Sequence, residues 1–195
     1  MSLITSQGDS QDFKQVPPGT YSSVCIGLTD LGIQAGEYEG KRTERKQVLL
    51  RWELPTEQMD DGQPMILSAF LTNSLNEKAK LRHWLEAWRG RAFTKEELAG
   101  FDLRNIIGKP CMLSVIHNEK DKAKVNAVMA LPKGMSVPPM HNNPLIYDCD
   151  NPSGDVFAAL PGGIQAIISS RVIPSPQPSN NYEPGVDGIA DEIPF

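Results

Sequence analysis

The chain has 195 residues, 39% of them hydrophobic and 22% charged, and a formal net charge of −5. That length holds one domain of roughly 130 residues plus a tail. No run approaches the ~20 apolar residues of a membrane span, and the start lacks a basic-then-apolar signal pattern. With three cysteines at unpaired spacings (Cys25, Cys111, Cys149), this predicts a cytoplasmic chain without disulfides and with no membrane partner.

Charge is unevenly spread. Residues 1–134 carry 18 Lys and Arg against 17 acids, whereas residues 135–195 carry one Arg against seven acids. A near-neutral body with an acidic tail suits a protein whose body meets phosphates and whose tail does not.

In chain order, residues 1–16 read as a loose leader, and Pro17-Pro18-Gly19 opens a folded domain over residues 17–134. Thr20–Leu31 reads as a strand, with Val24, Ile26 and Leu28 on one face and Tyr21, Ser23, Cys25 and Gly27 on the other. Residues 32–46 read as a loop ending in Lys41-Arg42-Thr43-Glu44-Arg45-Lys46. Gln47–Leu54 is the clearest strand: Val48, Leu50, Trp52 and Leu54 alternate with Leu49, Arg51 and Glu53. Asp60-Asp61-Gly62 makes a turn, and Met65–Leu71 forms a third strand.

A helix follows. Ser74 and Glu77 have capping-box spacing, Leu81, Trp84, Leu85 and Trp88 form an apolar stripe, and Gly90 is the stop. Thr94 and Glu97 repeat the capping spacing at a second, short helix. Lys109–His117 and Lys124–Leu131 read as strands four and five around a charged turn, and Lys133-Gly134 closes the domain. Five strands with a helical segment between the third and fourth predict a mainly β fold, a five-stranded OB-fold Greek-key barrel.

Residues 135–186 are rich in Pro, Ser and Asn and read as a linker within a largely disordered acidic tail. One amphipathic island, residues 156–173, interrupts it. Leu160, Ile164, Ile167 and Ile168 share a helical face there, after a Pro161 placed to start a helix. Docking onto the barrel is the first expectation for this island; pairing with another subunit or a partner are the alternatives.

A non-specific single-strand site needs cations along a groove and aromatic faces for bases. Lys41, Arg42, Arg45 and Lys46 are the best cationic cluster, and Arg51 continues their line on the non-core face of strand two. Lys122 and Lys124 follow in the four–five hairpin. Tyr21, opposite the apolar face of strand one, is the first stacking candidate; Phe70 and Tyr38 follow. Trp52, Trp84 and Trp88 read as core.

Enzyme readings find no support. His83, His117 and His141 lack a carboxylate or thiol at diagnostic spacing, and neither GxxxxGK[ST] nor a GxGxxG after a strand occurs. The expectation is a non-enzyme that uses no metal or cofactor.

The last five residues are Asp191-Glu192-Ile193-Pro194-Phe195. Two apolar side chains stiffened by a proline and flanked by acids make a good ligand for a greasy pocket with a basic rim. This ending resembles the tip of bacterial and bacteriophage single-stranded DNA-binding proteins. That resemblance implies that residues 187–195 recruit replication and recombination proteins without touching DNA. The whole layout is similar to bacteriophage members of that group, in which an OB-fold carries a helical segment after strand three. It implies a protein that coats single-stranded DNA during phage replication, recombination or repair in a bacterial host's cytoplasm, with self-association possible. The alternatives are a protein–protein adaptor on a small barrel without a DNA site, or an RNA-binding OB protein.

Overall fold

A computed structural model describes residues 14–38, 40–137 and 139–173 of the chain. Among the described residues the fold is mainly β, a six-stranded sheet with four short helices. The strands are β1 (Gly19–Tyr38), β2 (Lys41–Gln58), β3 (Pro64–Thr72), β4 (Pro110–His117), β5 (Ala123–Met129) and β6 (Leu145–Tyr147). The helices are α1 (Lys80–Arg89), α2 (Lys95–Ala99), α3 (Gly154–Ala159) and α4 (Gly162–Ser169), with a 3₁₀ turn at Leu103–Ile106.

The sheet is open, in the order β3-β2-β1-β4-β5, all neighbours antiparallel; β6 joins it parallel to β1. The end strands β3 and β5 approach each other without a hydrogen-bonded ladder among the described residues. Helix α1 packs against both of them.

Alternation on β2 holds as the sequence implies. Val48, Leu50, Trp52 and Leu54 are buried in the main core together with Leu81, Trp84, Leu85 and Trp88 of α1. Trp52 is fully buried, with Trp84 and Trp88 ring centroids 6.0 and 6.5 Å away. Each such side chain contributes about 1.5–3 kcal/mol by leaving water, which is why this stripe fixes where α1 sits.

Four expectations need correction. The first is the loop at residues 32–46: β1 runs on to Tyr38 and β2 starts at Lys41, so most of it is a two-stranded ribbon extending past the rest of the sheet. Gly32, at φ 71°, absorbs a bulge that lets the strand continue.

The second is strand one, where strict alternation fails. An extra residue, Ile26, interrupts the pairing between Cys25 and Gly27, and each one-residue slip swaps the faces. Cys25 and Leu28 therefore share the main core, and Tyr21 leans against that core instead of facing away from it. The Tyr21 hydroxyl donates to the Pro17 carbonyl at 2.9 Å.

The third is the capping box at Ser74 and Glu77, which does not form. The Ser74 hydroxyl accepts from the Asn76 N–H at 3.2 Å, and α1 begins only at Lys80. The expected box at Thr94 and Glu97 does form.

The fourth is the segment after residue 134. Residues 139–173 form a strap across the outward face of β1 and β2, where Tyr147, Leu160 and Ile168 bury Leu31 and Leu49 in a second core. Only the linker reading fails here; the island at 156–173, expected first to dock, is two helices broken at Pro161 that pack in this second core. The outward Leu49 and the bulged Leu31 are apolar residues that would otherwise face water. The leader up to Phe13 and the tip at residues 187–195 lie outside the described residues.

Candidate nucleic-acid interface

Pairing along the ribbon sorts its cations onto two faces, because side chains alternate along a strand and cross-strand partners share a side. Lys41 (opposite Tyr38), Thr43 (opposite Gly36) and Arg45 (opposite Gln34) lie on the outward face, which farther along carries Leu49, Arg51 and Glu53. Arg42 (opposite Glu37), Glu44 (opposite Ala35) and Lys46 (opposite Ile33) lie on the inward face. The four cations that are clustered in sequence are thus divided in space.

The inward pair is compensated. The Arg42 guanidinium meets Glu44 at 3.4 Å and has Glu37 across the ribbon. Lys46 Nζ lies 3.2 Å from both Asp30 and Asp150. Burial works against the Lys46 ammonium, but its hydrogen bonds and charge attraction to the two aspartates outweigh that and raise its pKa. Lys46 thereby joins the ribbon base to the strap.

Asp30, Asp148 and Asp150 bring carboxylate oxygens within 4.8 Å of one another, and the Lys46 ammonium supplies counter-charge to Asp30 and Asp150. The cleft beside them holds about 480 Å³ over an apolar floor that includes Leu28, Val48 and Phe101.

On the outward face, Arg51 is half-buried and lies across its cross-strand partner Gly27; a Cβ there would sit 2.7 Å from Arg51 Nε. Burial lowers the Arg51 pKa, and its Nε has no hydrogen-bond partner among the described residues. Ser68 of β3 faces Arg51, and Phe70, opposite Leu49, is 52% exposed. Ile66 on the same face is 43% exposed. Phe70 and Arg51 thus set an open aromatic and a guanidinium on diagonal positions of one sheet face.

Other candidates fall elsewhere. Tyr21 belongs to the core side. The Tyr38 side chain lies outside what the structure describes, though its backbone pairs with Lys41 at the ribbon's end. Lys122 and Lys124 sit on the β4–β5 hairpin, beyond the Gly19 end of β1 and so at the opposite end of that strand from the ribbon. Asp191, Glu192, Ile193, Pro194 and Phe195 are outside the described residues.

Sequence reading passed over two residues. Glu53 is fully buried on the outward face, where its carboxylate accepts the N–H groups of His141 (2.7 Å) and Asn142 (2.9 Å) and the Asn142 side-chain amide (2.6 Å). Arg171 of the strap lies over Gly32 at the base of the ribbon. Neither has a local signature, because both depend on contacts made across long sequence separations.

Comparison with known proteins finds no matching family model, no significantly similar curated protein and no significantly similar solved structure.

Proposed function

We propose that this chain binds single-stranded nucleic acid, DNA before RNA, without sequence preference, on the outward face of β3 with Arg51 of β2 at its border, and on the outward face of the β1–β2 ribbon. The observation that carries this reading is the exposed Phe70 placed diagonally from Arg51, with Lys41 and Arg45 on the same face of the ribbon. A base stacked on an aromatic ring is worth about 1–3 kcal/mol whatever its identity, and cations nearby hold the phosphates. We take the sheet order, the helix between β3 and β4, and the approach of β3 to β5 as support for an OB-type barrel, a fold that binds oligonucleotides across this face. On this reading the protein coats single strands in replication, recombination or repair. The Ile-Pro-Phe ending recruits partner enzymes, and the protein itself is not an enzyme.

The test is a fluorescence-anisotropy titration with labelled oligo-dT, with duplex DNA as competitor, at 50 and 200 mM salt (about a fourfold span, over which phosphate contacts are lost). Tight, salt-sensitive binding that duplex does not displace supports the reading, and Phe70→Ala then weakens it by about 1–3 kcal/mol. Absence of binding at the lower salt overturns it in favour of a protein–protein adaptor. Glu37 facing Arg42 and the two aspartates on Lys46 already favour that rival.

A further inference from the structure

The strap that covers β1 and β2 brings one cation with it. Arg171 is the single Lys or Arg in residues 135–195. Its place is fixed from two sides. The Val172 N–H donates to the Ile33 carbonyl at 2.7 Å, bridging the strap's end to the ribbon base. The Arg171 stem lies against Gly32, where an added Cβ would come within 2.6 Å of Arg171 Cδ. A side chain other than hydrogen at position 32 would push the arginine away.

Packing accounts for little of the guanidinium. Nη1 donates to the Ile168 carbonyl at 3.0 Å, at the C-terminal end of α4, where a cation is favourable. A guanidinium has five N–H donors, so most remain for another acceptor. Arg171 has no ion-pair partner among the described residues, while the aspartates lining the same cleft, Asp30 and Asp150, are both engaged by Lys46.

Its position extends the outward row of the ribbon. Arg45 pairs across from Gln34, and Gly32, under Arg171, is two residues farther along β1, a step of about 7 Å. Lys41, Arg45 and Arg171 therefore follow one another down one face, two from the ribbon and one from the strap.

Resting on the single-strand reading above, we propose that Arg171 is a phosphate-contacting residue of that site, so that the strap completes the binding surface it borders. Capping α4 uses one of the five guanidinium N–H donors, and shielding Leu31 and Leu49 uses none.

The experiment uses the full chain and oligo-dT, comparing wild type with Arg171→Gln, Arg171→Lys and, as a matched loss of an exposed charge, Lys95→Ala. Loss of one phosphate contact lowers the slope of log K against log salt by about 0.7 for a single strand. Arg171→Gln is expected to show that drop, Arg171→Lys to restore the slope, and Lys95→Ala to leave it alone. An unchanged slope in a folded Arg171→Gln protein, or an equal drop in Lys95→Ala, overturns the inference while leaving the single-strand reading standing. A wild type that does not bind overturns that reading itself. Independently of any variant, phenylglyoxal modification of wild-type Arg171, read by mass spectrometry, is expected to slow at least several-fold when oligo-dT is bound. An unchanged rate counts against the contact.

Discussion

The carboxylate of Glu53, buried on the outward face of β2, accepts the backbone N–H of Asn142, which lies 89 residues later in the chain, at 2.9 Å. Two more donors, the His141 N–H and the Asn142 side-chain amide, complete its shell. One acid therefore fixes the start of the strap against the sheet. A buried carboxylate persists only with such partners, since a lone buried charge is far too costly. Glu53→Ala strands three donors at once and is expected to cost on the order of 3 kcal/mol, because hydrogen bonds to a charged group are worth about 1.5–3 kcal/mol each and do not add fully. Denaturant unfolding gives the total, and hydrogen exchange should show the loss concentrated at residues 139–147.

Gly32 carries two demands, a left-handed φ of 71° and room for Arg171. The backbone term alone disfavours a Cβ by about 1–2 kcal/mol. Gly32→Ala should exceed that figure, whereas Gly36→Ala, where the nearest atom is the Thr43 hydroxyl oxygen at 3.7 Å, should cost well under 1 kcal/mol as an exposed ribbon substitution. A Gly32→Ala cost in urea titrations no larger than that backbone term would mean that Arg171 moves freely.

His117 holds the segment that leads into β1. One ring nitrogen meets Asp121 at 2.7 Å and the other meets the Val16 carbonyl at 2.8 Å. Both partners are acceptors, so only the doubly protonated ring donates to both. The Val16 carbonyl first, and Asp121 second, raise the His117 pKa above its ordinary value. A raised folded pKa gives stability that is fully present below about pH 6.5 and lost as pH rises through the folded pKa. Thermal melts from pH 5.5 to 8.5 should show this decline in wild type and not in His117→Gln; parallel curves would exclude the role.

Glu97 gives the opposite sign. Hydrogen bonds from Arg91 first, the Thr94 N–H and Arg89 depress its carboxyl to about 2. That contribution is present above the usual carboxylate range and is lost as pH falls from about 4.5 toward 2. Glu97→Gln should unfold more easily at pH 7, with the gap from wild type closing as pH drops to 2.5. The capping box at α2 predicts that exchange protection falls first at residues 95–99.

Burial raises the thiols of Cys25 and Cys111 to about 12, while the less buried Cys149 donates to the Asp30 carbonyl at 3.1 Å. Thiolate is the reactive form. A thiol reagent at pH 8 should modify Cys149 first and reach Cys25 and Cys111 only after denaturation. Simultaneous labelling in the native protein would contradict the burial.

The sequence by itself determined the elements whose signal is local. The period-two pattern of Val48, Leu50, Trp52 and Leu54, the helical stripe from Leu81 to Trp88, the Gly90 stop and the Thr94–Glu97 cap all appear where residue spacing puts them. They were legible because each depends on neighbours within a few residues. Tertiary structure decided what depends on distant pairing. The bulge at Ile26 turned Tyr21 toward the core, and cross-strand register divided Lys41 and Arg45 from Arg42 and Lys46. The need to cover Leu31 and Leu49 drew residues 139–173 onto the sheet, bringing Arg171 to the ribbon. A strand's faces invert with a single inserted residue, and a buried acid such as Glu53 is tolerable only with partners 88 and 89 positions away. Composition and spacing carry neither fact.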